Sequence, residues 1–201
     1  MTWKNIKLIN LAKITMGQSP LSRNYNDNKN GLPLIQGNND IKNFRTNEKV
    51  WTSQITKTAN EGDIILTVRA PVGELGFAIT KVCIGRGVCS IKPYYSKKFL
   101  FYSLLNYKSK WKQLEQGSTF SAINSNDLRS VSLSIPSIKE QEGIVDVLET
   151  WDEVVEKLEE KIKLKKNIKK GLMQQLLTGK TRLPGFAEIL ENYKNLVKLV
   201  K

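Results

Sequence analysis

The stretch from Ile138 to Gly179 constrains the fold most, because it predicts one long, continuous helix. It contains no proline, and only Gly143 and Gly171 interrupt a run of residues that favour helix. At about 1.5 Å per residue, a helix of about 40 residues extends roughly 60 Å. A domain of this size cannot bury so long a rod, so we expect part of the helix to pack against another helix.

The apolar residues of this stretch recur at steps of three and four, which is the spacing of a heptad seam. The phase slips through Lys165 and then resumes, as it does at a stutter in a coiled coil. The spacing therefore predicts a coiled-coil-forming helix that pairs along one face. The seam consists of Leu148, Trp151, Val155, Leu158, Ile162, Ile168, Leu172 and Leu176.

The charges of the helix indicate which way its partner runs. From Glu140 to Glu160 there are nine acidic residues and one basic residue, whereas Lys161 to Arg182 holds eight basic residues and no acidic one. An antiparallel pair places acid beside base along its length, and a parallel pair places like charges together. Each exposed ion pair contributes only about 0.2–1 kcal/mol, but several together select an orientation. The alternative is that the charges only complement the helix macrodipole, although they extend well beyond the end turns.

The rest of the chain carries the positive charge. The formal net charge is +13, and residues 1–138 hold 19 Lys and Arg against 8 Asp and Glu. A basic globular part is typical of proteins that bind a polyanion such as nucleic acid. A basic protein without a nucleic-acid partner is the alternative.

Nothing in the sequence predicts secretion or membrane insertion. The residues after Met1 do not resemble a signal peptide, and no stretch approaches the roughly 18 apolar residues of a membrane span. We therefore expect a cytoplasmic protein with no membrane partner. Cys83 and Cys89 lie in an apolar, strand-like stretch, which favours two buried thiols over a disulfide or a metal site.

Residues 1–137 predict a globular α+β domain with short strands and helices. Apolar and β-branched runs between Gly, Pro and Asn clusters indicate the strands, and a three- to four-residue period indicates the helices. In the tail, residues 181–201, Ile189, Tyr193, Leu196 and Val200 share one face of a short amphipathic helix. The predicted elements are an entry strand and a helical turn in Trp3–Ile14, strands at Pro33–Gln36, Ile64–Val68, Leu75–Val82, Val88–Ile91 and Val131–Ile135, a helix over Lys97–Leu114, and a helical turn at Asn126–Arg129.

The sequence lacks the common catalytic patterns. It contains no histidine, which removes Ser-His-Asp and Cys-His pairs and histidine metal sites. No phosphate-binding GxxxxGK[ST] loop and no GxGxxG turn is present. Outside the helix the carboxylates show no paired nuclease spacing; Glu61 and Asp63 fit a solvated turn better than a metal site. We therefore expect no catalysis and no cofactor or metal held by this chain.

Polar and basic loop residues are the candidates for contact with DNA. Arginine pairs with guanine O6 and N7, asparagine pairs with adenine, and Ser, Thr and Lys anchor phosphates. Arg69, before Ala70-Pro71, and Arg86, between two glycines, are favoured because tight backbone exposes their side chains, and Phe120 can stack or wedge at DNA. For each candidate, a side chain that only faces water is the alternative. The candidates are Ser19, Arg23, Asn24, Asn38, Asn39, Lys42, Arg69, Arg86, Ser118, Thr119, Phe120 and Ser121.

Several motifs in this order resemble a known family. In the C-terminal half these are Leu133–Pro136 (LSIP), Glu140-Gln141, Ile144–Leu148 (IVDVL), Lys169–Lys180 (KKGLMQQLLTGK) and Arg182-Leu183. Upstream they are Gly17–Pro20 (GQSP), Gly62–Ile65 (GDII), Arg69–Gly73 (RAPVG) and Gly117–Thr119 (GST). Over about residues 3–186 the chain resembles the specificity subunits of Type I restriction-modification systems.

The resemblance implies a target recognition domain at 1–137, a long conserved helix at 138–180 for dimerisation and methyltransferase docking, and a tail at 181–201. Such subunits read double-stranded DNA in the prokaryotic cytoplasm and catalyse nothing. They recruit DNA methyltransferase subunits that use S-adenosylmethionine and, in restriction complexes, ATP-dependent nuclease-translocase (restriction) subunits. A usual subunit has two recognition domains and two antiparallel helices, whereas this sequence has one of each, so it resembles a half-length form.

These inferences combine into one functional hypothesis. Two copies pair antiparallel through the long helix, and each copy reads one half of a bipartite, two-fold-symmetric DNA target. The resemblance implies that the complex methylates adenine at N6. One alternative is a truncated or donor specificity protein that binds methyltransferase subunits without a useful sequence preference. The other is a stand-alone nuclease, which the missing catalytic clusters disfavour.

Overall fold

The computed structural model describes residues 2–108, 110–111 and 122–186. The chain divides into two compact units, Met1–Asp146 and Val147–Lys201. The first unit combines short strands with short helices, and a long helix begins in it and forms most of the described part of the second. The α+β class predicted from the sequence is therefore confirmed.

The elements are numbered here in chain order. Among the described residues the helices are α1 Lys97–Asn106, α2 Ser125–Ser130 and α3 Ile138–Leu176. Lys108, Lys110 and Trp111 are also helical, and 3-10 turns occur at Leu8–Asn10, Ser22–Asn24 and Asn38–Asp40. The strands are β1 Lys4–Lys7, β2 Ala12–Met16, β3 Tyr25–Asn26, β4 Leu32–Ile35, β5 Ile41–Lys42, β6 Arg45–Thr46, β7 Trp51–Thr52, β8 Thr58–Ala59, β9 Ile64–Thr67, β10 Leu75–Phe77, β11 Val82–Ile84, β12 Val88–Pro93 and β13 Ser132–Ile135.

In the described residues the strands form three sheets. One has the order β2-β12-β9-β10-β6-β5, the second β3-β7-β4-β11-β8, and the third joins β1 to β13. Most neighbours are antiparallel, but β4 with β11 and β6 with β10 run parallel. Because β4 and β11 run in the same direction, their carboxyl ends lie at the same edge of the sheet.

Strand β9 separates two hydrophobic cores. Successive side chains of a strand point to opposite faces, so a strand covered on both sides reads as a continuous apolar run. Ile64 and Leu66 belong to the larger core, which also contains Leu104 and Trp111, while Ile65 belongs to the smaller core with its neighbours from β11 and β12. All four residues of β9 are buried. This explains why the sequence of β9 shows no polar alternation.

Most predicted strands are confirmed. Strands β4, β9, β12 and β13 lie where the sequence predicts them, as do β1 and the helical turn after it. The single strand predicted over Leu75–Val82 is wrong, because the structure has two separate strands there, β10 and β11. These two strands belong to different sheets, and the chain changes sheet through the exposed residues Ile79 to Lys81. Strand β2 and the two-residue strands β3 and β5 to β8 were not predicted.

The helix predicted over Lys97–Leu114 is interrupted. Helix α1 ends before Tyr107, and the carbonyl of Leu104 accepts hydrogen bonds from Tyr107 N (3.2 Å) and from Trp111 Nε1 (3.3 Å). A side chain from downstream thus satisfies a carbonyl at the helix end. The turn predicted at Asn126–Arg129 is confirmed as α2. Residue 114 and the predicted tail helix with Ile189, Tyr193, Leu196 and Val200 lie outside the described residues.

Helix α3 confirms the long helix predicted from the sequence. It has 39 residues, and Ser137 Oγ accepts from Glu140 N at its start. Gln141 and Val145 are buried in the first unit, and Gln141 Nε2 donates to the carbonyl of Pro136 at 3.1 Å. The helix ends at Leu176, and the turn that follows contains Gly179, whose φ of 69° suits glycine best.

The predicted seam of α3 is uncovered in a single copy. Its eight residues are between 37% exposed, at Leu148, and 65% exposed, at Trp151. No part of the chain that the structure describes buries this apolar face. None of the described helices is both long enough and apolar enough to cross a membrane.

Both cysteines are buried free thiols, as the sequence predicts. Cys83 and Cys89 have no exposed surface, and burial raises the pKa of Cys89 to about 12, although a backbone hydrogen bond from Leu66 opposes the rise. The thiolate is the reactive form of cysteine, so Cys89 is protected by both burial and protonation at neutral pH.

We expect neither thiol to react with Ellman's reagent at pH 8 while the protein is folded. Both should react after unfolding in guanidinium chloride, because unfolding exposes them and returns Cys89 to its ordinary acidity. The absorbance of the released thionitrobenzoate counts the reacted thiols. A thiol that reacts within seconds in the folded protein would contradict the burial of this strand region.

Candidate nucleic-acid interface

A small cavity in the first unit brings four of the predicted DNA-contacting residues together. Its volume is about 170 Å³. Ser19, Asn38, Arg69 and Arg86 line it, although they are far apart in sequence. The remaining lining residues are Gln36, Gly37, Ala70 and Gly87. We call this cavity and its lining the reading site.

The ends of neighbouring strands build the reading site. Gln36 follows β4, and Arg86 follows β11, which pairs with β4 in parallel with Ile84 opposite Ile35. Gly85 N donates to the carbonyl of Ile35 at 2.8 Å, which extends this pairing by one residue. The parallel pairing of β4 with β11 therefore places Gln36 and Arg86 at the same edge of the sheet.

The segment after β9 is the third part of the reading site and lies at the same edge of the sheet. Val68 N donates to the carbonyl of Gly87 at 2.9 Å, and the carbonyl of Val68 accepts from Ile123 N at 2.8 Å. Arg69 follows, in an isolated antiparallel bridge with Ala122. Backbone bonds on both sides thus hold the base of Arg69 while its side chain remains exposed.

Two glycines permit the close backbone approach that the reading site needs. A Cβ atom on Gly87 would lie 2.0 Å from the carbonyl oxygen of Gln36, and one on Gly17 would lie 2.1 Å from the carbonyl oxygen of Gly85. No residue with a side chain fits at either position without moving the backbone. This explains the glycine directly after Arg86, whose side chain is exposed as predicted.

Ser19 makes a hydrogen bond within the protein, in addition to any contact with DNA. Its Oγ accepts from the backbone N–H of Arg86 at 3.1 Å, which joins the loop after β2 to the loop after β11. The hydroxyl proton remains able to donate to a phosphate oxygen. Ser19 therefore positions Arg86 and keeps one donor of its own.

Sequence reasoning missed Gln36, which contributes a second amide to the reading site. Tyr25 Oη donates to its Oε1 at 3.2 Å, and Asp40 Oδ2 accepts from the backbone N–H groups of Gln36 (2.8 Å) and Gly37 (3.2 Å). Asp40 thereby holds the start of the 3-10 turn that carries Asn38. The available signal was the amide chemistry that Gln shares with Asn, at the end of a predicted strand.

The other described candidates do not line the reading site. Asn39 is exposed on the same 3-10 turn as Asn38, and Lys42 is exposed on β5. Arg23 is exposed, while the amide of Asn24 donates to Gln54 Oε1 at 2.9 Å and so holds its own loop. The candidates Ser118, Thr119, Phe120 and Ser121 lie outside the described residues.

Glu61 and Asp63 lie on the turn before β9 and differ in their surroundings. Glu61 is exposed, but the solvated turn predicted for the pair is wrong for Asp63, which is only 7% exposed. Asp63 Oδ2 accepts from Asn60 N at 2.9 Å and from Ser90 Oγ at 3.2 Å, so it closes the turn before β9. Among the described residues, no group of three or more His, Cys, Asp or Glu could hold a metal ion.

The reading site presents groups that recognise base edges. Arg69 and Arg86 each offer a guanidinium, and in the described part of the chain no carboxylate forms a salt bridge with either one. Gln36 and Asn38 offer amides, each with both donors and an acceptor. Guanidinium groups suit guanine and amides suit adenine in the major groove. This combination can hydrogen-bond to nucleobases on a domain whose charge attracts the phosphate backbone.

Comparisons with known proteins identify a family that the chain matches over most of its length. The family model described as "Type I restriction modification DNA specificity domain" matches residues 1–169. The chain is 39% identical, over 187 residues, to the putative type I restriction enzyme MjaX specificity subunit of Methanocaldococcus jannaschii. That alignment covers 90% of this chain and 44% of the relative.

Solved structures show the same fold. The HsdS subunit from Thermoanaerobacter tengcongensis matches with a TM-score of 0.69 and 33% identity, over 79% of this chain and 39% of that one. A chain from a structural study of complex assembly and conformational transition of the type I R-M system matches with a TM-score of 0.75 and 32% identity, over 87% of this chain and 45% of the other. The chain thus spans less than half the length of these relatives.

We expect Gly87→Ala to destabilise the protein by about 1–3 kcal/mol, the usual cost of an overpacked site. The added methyl group would collide with the Gln36 carbonyl, which the β4 segment holds in place. Gly37→Ala is the matched control, because Gly37 lines the same cavity and its added Cβ would have no atom within 4 Å. Urea unfolding measures both, and equal free energies of unfolding for the two variants would contradict the close approach.

Proposed function

The chain belongs to the Type I restriction-modification DNA specificity family, and from this we propose that it is a non-catalytic subunit that reads one half of a bipartite duplex DNA target. The reading site supports this proposal most directly, because it joins two exposed guanidinium groups and two amides at one edge of a sheet. Methyltransferase subunits supply the chemistry, and this chain supplies the sequence preference.

Affinity and specificity come from different parts of the first unit. The excess of 19 basic over 8 acidic residues in 1–138 attracts DNA of any sequence, and that attraction weakens as salt rises. Arg69, Arg86, Gln36 and Asn38 discriminate among bases, with each good bidentate pair contributing about 1–3 kcal/mol. Exposed lysines outside the reading site, such as Lys42, contact phosphates.

The second half of the proposal is an antiparallel homodimer through α3. The exposed seam needs a partner helix, and a second copy offers the same apolar face. Fully burying an exposed large apolar side chain contributes roughly 1.5–3 kcal/mol. The seam side chains are about half exposed in one copy, so each gains about half of that. Eight from each copy together are still enough to offset an association cost of about 4–15 kcal/mol. The split of charges at Glu160 and Lys161 favours the antiparallel orientation.

An antiparallel pair places the two reading sites at opposite ends of a rod. Each site then contacts one half of a two-fold-symmetric target, and the rod sets the gap between the halves. We propose that methyltransferase subunits, which bring S-adenosylmethionine, dock on the helices and methylate adenine at N6 in the target. Restriction subunits join where the complex also cleaves DNA.

The alternative is a specificity protein that binds methyltransferase subunits without a useful sequence preference. Selection of bound sequences from random DNA, with the methyltransferase subunit present, separates the two. An enriched, symmetric, split sequence supports the proposal, and an unenriched pool supports the alternative. Cleavage of DNA by the isolated protein with magnesium would contradict both.

The reading residues and the anchoring residues should respond differently to mutation. We expect Arg69→Ala or Arg86→Ala to relax the preference at one base position in each half-site, with a loss of about 1–3 kcal/mol on the best sequence. Lys42→Ala should weaken binding to all sequences about equally and reduce the salt slope by about one. Fluorescence anisotropy titrations at several salt concentrations measure these effects. Identical behaviour of the two classes would contradict this division of roles.

Lengthening the helix should lengthen the gap. Duplicating Leu158–Leu164 adds one heptad and keeps the seam in phase, so the rod grows by about 10 Å, which is about three base pairs of DNA. The selected half-sites should move apart by that amount. An insertion of seven residues after Phe186 is the control and should leave the gap unchanged. Unchanged spacing in the helix variant would contradict the role of the rod.

A further inference from the structure

An apolar cavity lies in the first unit where α3 begins. Its volume is about 210 Å³, and it is open to solvent at Ile138, which is 57% exposed. None of the predicted DNA-contacting residues lines it. Apolar recesses of this kind on a protein surface commonly mark contact sites for another surface. We call it the start cavity; its main apolar lining is Ile6, Leu11, Phe99, Leu100, Ile135 and Ile138.

The segment that leaves the other end of α3 is also apolar and exposed. We call Leu177–Phe186 the exit segment. Leu177, Leu183 and Phe186 are 79%, 58% and 55% exposed. Gly179 N donates to the carbonyl of Leu176 at 3.2 Å, which ends the helix, and the chain after it is not helical. The exit segment therefore carries apolar side chains on a backbone that can follow a surface.

The register of the proposed dimer brings these two features together. The seam runs from Leu148 to Leu176, so antiparallel pairing of its ends places Ile162 beside Ile162 of the second copy. Continuing the same count beyond the seam brings Phe186 level with Ile138. In one copy the exit segment is turned, because Thr181 N donates to the carbonyl of Gln175 and Phe186 N to that of Leu183, both at 3.1 Å. The level of Ile138 is about 15 Å beyond Leu176, a distance that ten residues can span when these turns open on docking.

The boundary of the charges supports the same alignment independently. Centring the pair on the change from Glu160 to Lys161 shifts the register by only about one helical turn and keeps the exit segment level with the cavity wall. The seam-centred alignment also brings the first turn of the second copy's α3, which carries Glu142, near the exit segment, which carries Arg182, and both side chains are exposed. Apolar residues thus meet apolar residues, and a base meets an acid.

We propose that the exit segment of one copy occupies the start cavity of the other, with Leu183 and Phe186 as its anchors. This inference rests on the antiparallel dimer proposed above, and it adds a second contact surface beyond the helix seam. The contact ties each recognition domain to the far end of the partner's helix. It therefore limits rotation of the domain about the rod and holds the two reading sites at a defined angle.

Disulfide cross-linking tests this contact in the full chain. In Ile138→Cys/Phe186→Cys, oxidation should give a covalent dimer on a non-reducing gel. The two positions of one copy cannot react with each other, because Ile138 begins a helix about 58 Å long and Phe186 follows its other end by ten residues. The native cysteines are buried and do not compete. Lys139→Cys/Phe186→Cys is the matched control, since Lys139 is exposed beside Ile138 but does not line the cavity; it should cross-link at least tenfold more slowly.

A separate variant distinguishes failure of this contact from failure of the dimer. Ile162→Cys should cross-link to itself in the antiparallel register whether or not the exit segment docks. Cross-linking at Ile162 without cross-linking of Ile138 to Phe186 would overturn the inference and leave the dimer intact, with the cavity open to a different protein. No cross-link in either variant, together with a monomeric mass by light scattering, would overturn both proposals.

The dissociation constant of the dimer tests the same contact without introducing cysteines. Leu183→Ala/Phe186→Ala should raise the dissociation constant of the dimer at least about tenfold, because two buried apolar side chains per copy are truncated. Ile55→Ala is the control, because Ile55 is 52% exposed and lies away from the cavity; it should leave the constant unchanged. Sedimentation equilibrium measures both, and equal dissociation constants for the wild type and the double variant would contradict the docking.

Discussion

The apolar seam of α3 is the feature on which the proposed assembly depends. The seam alone exposes eight large apolar side chains along a 39-residue helix, and burial of such side chains is the dominant favourable term in association. In the proposed dimer the charges on either side of the seam would add little affinity but would select the direction of the partner, since like charges would face each other in the parallel form. The proposal thus assigns the affinity to the hydrophobic stripe and the orientation to the charge pattern.

The reading site depends on a different constraint, the close backbone packing of three loops. Gly17 and Gly87 allow the segments after β2, β4 and β11 to meet, and Ser19 bonds to the backbone of Arg86 across this junction. The two arginines therefore start from backbone that hydrogen bonds hold in place, although their side chains extend into solvent. Long, flexible side chains on a fixed base are suited to bidentate contact with base edges.

The sequence predicted local features better than features that depend on pairing between distant strands. The length of α3 followed from an uninterrupted run of helix formers, and the exposure of Arg69 and Arg86 followed from the tight backbone beside them. The division of Leu75–Val82 between two sheets could not be predicted, because it depends on which strands lie beside it. The burial of Asp63 depends on Ser90, and the place of Gln36 in the reading site depends on the parallel pairing of β4 with β11. Both depend on long-range contacts: the amide of Gln36 could be recognised locally, but neither its place in the reading site nor the burial of Asp63 could be.

The direction of helix pairing is the central claim, and a distance between two spin labels tests it most directly. A nitroxide at Glu153→Cys would lie nine residues from the middle of the seam in each copy, so the antiparallel dimer predicts a separation of roughly 27 Å along the rod. A parallel dimer would place the labels side by side, about 10 Å apart across the helix pair. Double electron–electron resonance resolves these cases: a peak near 30 Å supports the account. A separation below about 15 Å, or no dipolar coupling at all, contradicts it.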